Sequence, residues 1–121
     1  MKIYIAHSSG FDFYKLLYEP IKLSGFWNKH TFILPHENTL DPSNSKKIIS
    51  ASDLVIAEVS YSSTGMGIEL GWANANKIPV LCIYKKNAQI SSSLSAVFKD
   101  FIEYDNATDM VEKLDNWFKL F

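Results

Sequence analysis

The chain has 121 residues and a formal net charge of -1 at pH 7, with 47% apolar and 14% aromatic residues. That length supports one globular domain, expected to span residues 1–121, and not two. The balanced charge argues against a nucleic-acid surface, which needs a cationic patch, and no run of roughly 18 apolar residues offers a membrane span. The start, Met1 to Ala6, is too short an apolar stretch for a signal peptide. The single cysteine, Cys82, lies in the apolar run Val80-Leu81-Cys82-Ile83-Tyr84 and reads as a small core residue without an internal disulfide partner. The cytoplasm is the expected compartment.

In chain order, Lys2 to Ala6 predicts a first strand, with His7-Ser8-Ser9-Gly10 as the loop at its C-terminal end. Phe11 to Leu23 predicts a helix with Phe13, Leu16, Leu17, Ile21 and Leu23 as its apolar set, kinked or ended by Pro20 and stopped at Ser24-Gly25. Thr31 to Leu34 predicts a second strand, closed by Pro35. His36 to Asn44 is a polar connection carrying His36, Glu37 and Asp41, and a short helix follows to Ser52 with Ile48, Ile49 and Ala51 inward. Leu54 to Val59 is a Val/Ile-rich run of the kind found in buried parallel strands. A helix from about Gly65 to Asn76, a strand opening at Pro79, a helical turn through Phe98 and a strand over Phe101 to Tyr104 come next. Asn106-Ala107-Thr108 caps a last helix, whose stripe comprises Met110, Val111, Leu114, Trp117, Phe118 and Phe121.

Five strands alternating with helices imply a parallel sheet covered on both faces. Right-handed crossovers make the flavodoxin-like order 2-1-3-4-5 the simplest α/β topology. Its switch point falls between strands 1 and 3, where His7–Gly10 meets Ser60–Gly67, and ligands bind there beyond the carboxyl ends of the strands.

The central stretch runs from Asp53 through Glu58, Ser60, Ser63, Thr64, Gly65 and Gly67 to Glu69 and Gly71. A strand, a small-residue turn, a helix start and a carboxylate follow one another. Hydroxyls and unpaired N–H groups at such a turn suit a phosphate, although an ordinary N-cap has the same composition. The pattern is neither G-x-G-x-x-G nor a Walker A loop, so neither a dinucleotide nor a triphosphate follows from it. Glu69 suits attack on an anomeric carbon of oxocarbenium character, or merely favours the helix dipole. His30 reads as solvated; His36 is placed to touch a base or sugar and His7 a phosphate, but for each an ordinary structural role is the favoured reading. No ligand set has the spacing of a metal site, and neither a metal nor another cofactor is expected.

The stretch Asp53–Gly71 resembles the signature of the nucleoside 2-deoxyribosyltransferase superfamily, with the 2′-deoxynucleoside 5′-monophosphate N-glycosidases as the nearest branch. Ile3-Tyr4-Ile5-Ala6-His7-Ser8 is similar to that branch's first strand, and Pro79 to Tyr84 with the following serines extends the match to about Ser95. The resemblance implies Glu69 as the nucleophile and Ser63 as a phosphate-binding serine where the transferases carry an aspartate. It also implies Ser8, Gly65 and Gly67 as the rest of the phosphate cradle, and Tyr4 against the sugar. Ser93, with Ser95 as its rival, corresponds to a serine that reaches the neighbouring subunit's site, so a homodimer is implied. The family's second acid falls at Ser45 here, with Asp41 as a substitute from the preceding loop. His7 replaces a glycine, and the arginine that often follows in the family is missing.

The function implied is hydrolysis of a (deoxy)nucleoside 5′-monophosphate to free base and 5-phosphosugar, or transfer of the sugar to another base. A TIR-like glycohydrolase acting on a dinucleotide and a non-catalytic nucleotide sensor are the rival readings.

Overall fold

The computed structural model describes residues 1–37 and 42–120, without the side chains of Pro42 and Ser43. Its strands are β1 (Lys2–His7), β2 (Thr31–Ile33), β3 (Leu54–Glu58), β4 (Val80–Lys85) and β5 (Asp100–Tyr104). They form one sheet in the order β2-β1-β3-β4-β5, and every neighbouring pair is parallel. The expected order is therefore the observed one. Parallel neighbours demand crossovers, and the helices that supply them cover the sheet on both faces.

The pleat assigns the faces. On one side Ile3 and Ile5 of β1, Leu54 and Ile56 of β3 and Leu81 and Ile83 of β4 join Leu17, Tyr18 and Ile21 and the last helix's Met110 and Leu114. On the other, Tyr4 and Ala6, Val55 and Ala57, and Val80 and Cys82 pack with Ile49, Met66, Leu70 and Ala73. This two-residue alternation within continuous apolar strands is what a doubly covered sheet requires. Cys82 is fully buried, and burial pushes its thiol up to about 12, with Asp100 adding to the shift.

Helices α2 (Pro42–Ser50) and α3 (Thr64–Ala75) carry the residues of the second face. Helix α4 (Ser92–Val97) follows β4, and α5 (Ala107–Phe118) closes the first face with the Asn106 side chain accepting from the Asp109 N–H at 2.9 Å. Val111, Trp117 and Phe118 pack beside the core as their spacing predicts, whereas Phe121 lies outside the described residues. His30, expected in solvent, rests on Phe118 with ring centroids 4.7 Å apart. Among the described residues no helix is long and apolar enough to cross a membrane.

The first helical segment departs from expectation. A π-helical turn, Tyr14–Tyr18, precedes a short α1 (Glu19–Lys22), and a 3-10 turn spans Trp27–Lys29. Pro20 has no N–H, and its ring would meet the carbonyl four residues back. The wider turn, in which the Glu19 N–H reaches the Tyr14 carbonyl, absorbs that conflict. Widening also shifts the helical phase. Leu17, Tyr18 and Ile21 face inward, while Leu16 and Leu23 point out, 42% and 79% exposed.

Candidate active site

At the switch point a cavity of about 520 Å³ opens over the C-terminal ends of β1 and β2 and one flank of α3. Tyr4, His36, Ser63, Gly65 and Glu69, all expected at the site, line it together with Ser45, His7 and Trp72. Helical spacing explains the selection: Gly65, Ile68, Glu69 and Trp72 share one face of α3. The opposite flank carries Gly67, Gly71 and Asn74 and faces a second hollow, about 570 Å³, shared with Ser91, Ser93 and Leu94. Ser63 borders both.

Three expected positions, Gly67, Ser93 and Ser8, are thus not among the residues lining the cavity. Gly67, two residues after Gly65 and one before Ile68, lines the second hollow, and Ser93 lines that same hollow. The Ser8 side chain accepts from the Gly10 N–H at 3.0 Å and closes the loop after β1. Asp41 lies outside the described residues.

Glu69 stands where three elements converge. Tyr4 points from β1 to the α2/α3 face and donates its hydroxyl hydrogen to the Glu69 carboxylate. Ser45, on α2 one turn before Ile49, lines the cavity beside the same phenol, and its hydroxyl works against the rise of the Tyr4 pKa. Burial raises the Glu69 pKa above the usual carboxylate range, and the Tyr4 bond works against that rise. Tyr4 moves the same way: burial and the Glu69 carboxylate push its phenol far above its ordinary value, so it remains a donor at any physiological pH. The result is a desolvated carboxylate with one fixed partner and one side on the cavity. Such a group is a competent nucleophile or base.

The start of α3 supplies the opposite chemistry. Ser63 is the N-cap, its side chain accepting from the Met66 N–H at 3.3 Å. The N–H groups of Thr64 and Gly65 belong to the first turn and have no intrahelical partner. With the Ser63 hydroxyl hydrogen and the helix dipole, they favour an anion at that end of the cavity.

Two features escaped the sequence reading. His7, read as a structural residue or a phosphate neighbour, has both ring nitrogens engaged: Nδ1 with the Ser8 carbonyl at 2.8 Å and Nε2 with the Tyr18 hydroxyl at 2.5 Å. Its strand parity, shared with Ile3 and Ile5, was the available signal that it faces Tyr18. The other is a second buried carboxyl, Glu58, only 1% exposed. It accepts from the Ser60 N–H at 2.6 Å and from the Tyr104 hydroxyl, which tie the end of β3 to β5 away from the cavity.

Comparison with known proteins bears on the fold. No family model matches the chain. A protein of Syntrophotalea carbinolica, provisionally named 2′-deoxynucleoside 5′-phosphate N-hydrolase 1, is 39% identical over 67 residues, 51% of this chain and 46% of that protein. Its namesakes in Nematostella vectensis (37% over 75 residues, 56% of this chain and 50% of theirs) and Methanosarcina barkeri (44% over 45 residues, 37% and 28%) match as well. The chain spans half or less of the length of these relatives. Among solved structures, the Clostridium botulinum CMP N-glycosidase superposes with a TM-score of 0.71 at 20% identity, over 97% of this chain and 99% of that one.

The fold is that of the nucleotide N-glycosidases. A 2-deoxyribosyltransferase from Bacillus psychrosaccharolyticus shares it, with a TM-score of 0.68 at 20% identity over 92% of this chain and 90% of that one. The chain is thus similar to nucleotide N-hydrolases in part of its sequence and shares the fold of the N-glycosidase and the transferase. Within the N-glycosidase fold, this chain's cavity keeps a single carboxylate among its described lining residues.

Proposed function

We propose that the chain hydrolyses the N-glycosidic bond of a (deoxy)nucleoside 5′-monophosphate, releasing the base and a 5-phosphosugar. The observation that carries this reading is the Glu69 carboxylate, bonded by Tyr4 and open to a cavity that the start of the same helix also lines. The names of the sequence relatives support the same substrate class.

In this mechanism the 5′-phosphate sits against Ser63 and the first N–H groups of α3. A Glu69 oxygen attacks C1′, the C1′–N bond breaks, and its electron pair leaves with the base, which takes up a proton. Tyr4 keeps the other carboxylate oxygen in place, and the Ser45 hydroxyl orients Tyr4 in turn. Water then attacks C1′ of the glycosyl ester, restoring the carboxylate and giving the 5-phosphosugar. Asp41 is the candidate for passing a proton to the departing base. Ser8 serves by shaping the loop after β1, and Ser93 by reaching a neighbouring subunit's cavity in a homodimer, a role that fits its place outside this chain's own cavity. The cytoplasm, where nucleotides are abundant, is the proposed compartment.

The test is incubation with a panel of nucleoside 5′-monophosphates and nucleosides, following free base by chromatography. Base release from a monophosphate that disappears in Glu69→Gln is the expected result; release that survives the substitution removes Glu69 as nucleophile.

A further inference from the structure

The far end of the cavity from α3 is an aromatic corner. The rings of His7 and His36 lie 4.9 Å apart, and Phe13 contacts both, at 4.6 Å from His7 and 4.8 Å from His36. One hydroxyl organises this corner. A carbonyl oxygen only accepts, so the bond between His7 Nδ1 and the Ser8 oxygen places the ring hydrogen on Nδ1. Nε2 is therefore an acceptor, and the Tyr18 hydroxyl donates to it at 2.5 Å. The same Tyr18 oxygen accepts the His36 backbone N–H at 3.1 Å. Tyr14, one turn earlier in the π-helical turn, donates to the His36 carbonyl at 2.8 Å. Both backbone groups of His36 are thus tied to that turn, and its ring is set beside His7 (the Lys22–Glu37 ion pair fastens the next residue as well).

We propose that Tyr18 is the positioning residue of this corner: it locks His7 as a ring with no free nitrogen and sets His36 beside it, so that the corner receives the planar base of the ligand and not its anionic group. The assignment rests on the nucleotide reading above and divides the cavity into two ends. Among the described residues, the first-turn N–H groups and the Ser63 hydroxyl offer an anion site at the α3 end. Lysine and arginine are absent from the described lining residues and from the sequence of residues 38–41. The other end offers the exposed His36 ring, backed by the buried His7, and a base stacks on such a ring.

The protonation of His7 follows the same geometry. Burial pulls its pKa down to about 4; the Ser8 carbonyl opposes that shift and His36 adds to it. The groups around it are His36 after β2, Tyr18 from the π-helical turn and Glu58, its register partner on β3. Glu58 is engaged by Ser60 and Tyr104, and Tyr18 itself feels Tyr14, Glu37 and Glu69. Removing the Tyr18 hydroxyl deletes a bond to the neutral ring, so the His7 pKa rises.

Two measurements on the full chain test this. Imidazole nitrogen NMR of the native chain is expected to show His7 as the Nδ1–H tautomer, titrating near 4, and to show it titrating at higher pH in Tyr18→Phe. Calorimetry in a Glu69→Gln background, where turnover is stopped, compares a deoxynucleoside 5′-monophosphate with 2-deoxyribose 5-phosphate, which has no base. Tyr18→Phe and His7→Ala are expected to weaken the nucleotide by about tenfold, the order of a lost stacking platform, and to leave the sugar phosphate unchanged. His7→Phe, which keeps a ring and needs no Tyr18 bond, is expected to retain nucleotide affinity. An Nε2–H tautomer, or equal weakening of both ligands, overturns the proposal. Native chain that binds the pair as described yet releases no base with Glu69 intact overturns the hydrolase reading and leaves this one standing.

Discussion

The Tyr4 hydroxyl donates to the Glu69 carboxylate across 65 positions of sequence, joining the third residue of β1 to the helix that follows its neighbour β3. Tyr4 is fully buried and Glu69 half-buried, so this bond is made largely out of water. Charge-assisted bonds of that kind are among the stronger ones in proteins, and this one sets both where the carboxylate points and when it ionises.

Glu69→Gln preserves an acceptor for Tyr4 and removes the nucleophile. Base release is expected to fall by more than about a hundredfold, the lower end of what a positioned catalytic group contributes. Thermal unfolding at pH 7 is expected to shift upward, because the buried charge and its desolvation are gone. Chromatographic assay and calorimetric Tm check the two halves.

Tyr4→Phe acts on the pH profile. The Tyr4 bond holds the Glu69 pKa below where burial alone would place it, so its loss raises that pKa further. The acid limb of the kcat/KM profile is expected to move to higher pH, with activity partly recovered on the alkaline side. A limb that stays in place refutes the coupling.

Ser63→Ala tests the helix start twice. Loss of the N-cap is expected to cost about 1 kcal/mol of stability by urea unfolding. Affinity for a nucleoside 5′-monophosphate is expected to fall more than affinity for the corresponding nucleoside, since the hydroxyl is assigned to the phosphate.

Glu58 gives a stability signature. Burial raises its pKa above the ordinary 4.5, while the bonds from Tyr104 and Ser60 act the other way. The folded state therefore holds the proton to higher pH than the unfolded one. Below 4.5 this preference is fully expressed, and it is lost as pH rises through the folded-state value. Glu58→Gln, which never ionises, is expected to gain stability relative to the native chain as pH increases from 4.5 to neutrality, read as the difference in Tm at each pH.

Gly71 occupies the interior of α3 without positive φ, and a methyl group there meets nothing within 4 Å. Gly71→Ala is expected to stabilise the chain by roughly 0.5–1 kcal/mol through helix propensity, measured by urea unfolding.

The sheet order was legible because five apolar runs of strand length alternate with helical segments, and few topologies satisfy that pattern. Ser63 and Glu69 were legible because a capping serine and an early carboxylate are local signals. The side to which Gly67 turns was not legible in the motif: a helix turns 100° per residue, so Gly65 and Gly67 do not share a face. The π-helical turn was hidden as well. Pro20 announced a disturbance, but whether a helix breaks, kinks or widens depends on what Tyr14 and Tyr18 find across the fold, namely His36 and His7. Long-range partners of that kind leave no periodic trace.

Ser63 belongs to the walls of both hollows that flank α3. Any attempt to retune the chain for another ligand by enlarging or charging that residue will remodel the rear chamber along with the front one. Redesign of specificity is better begun at Trp72 or His36, which border only the front.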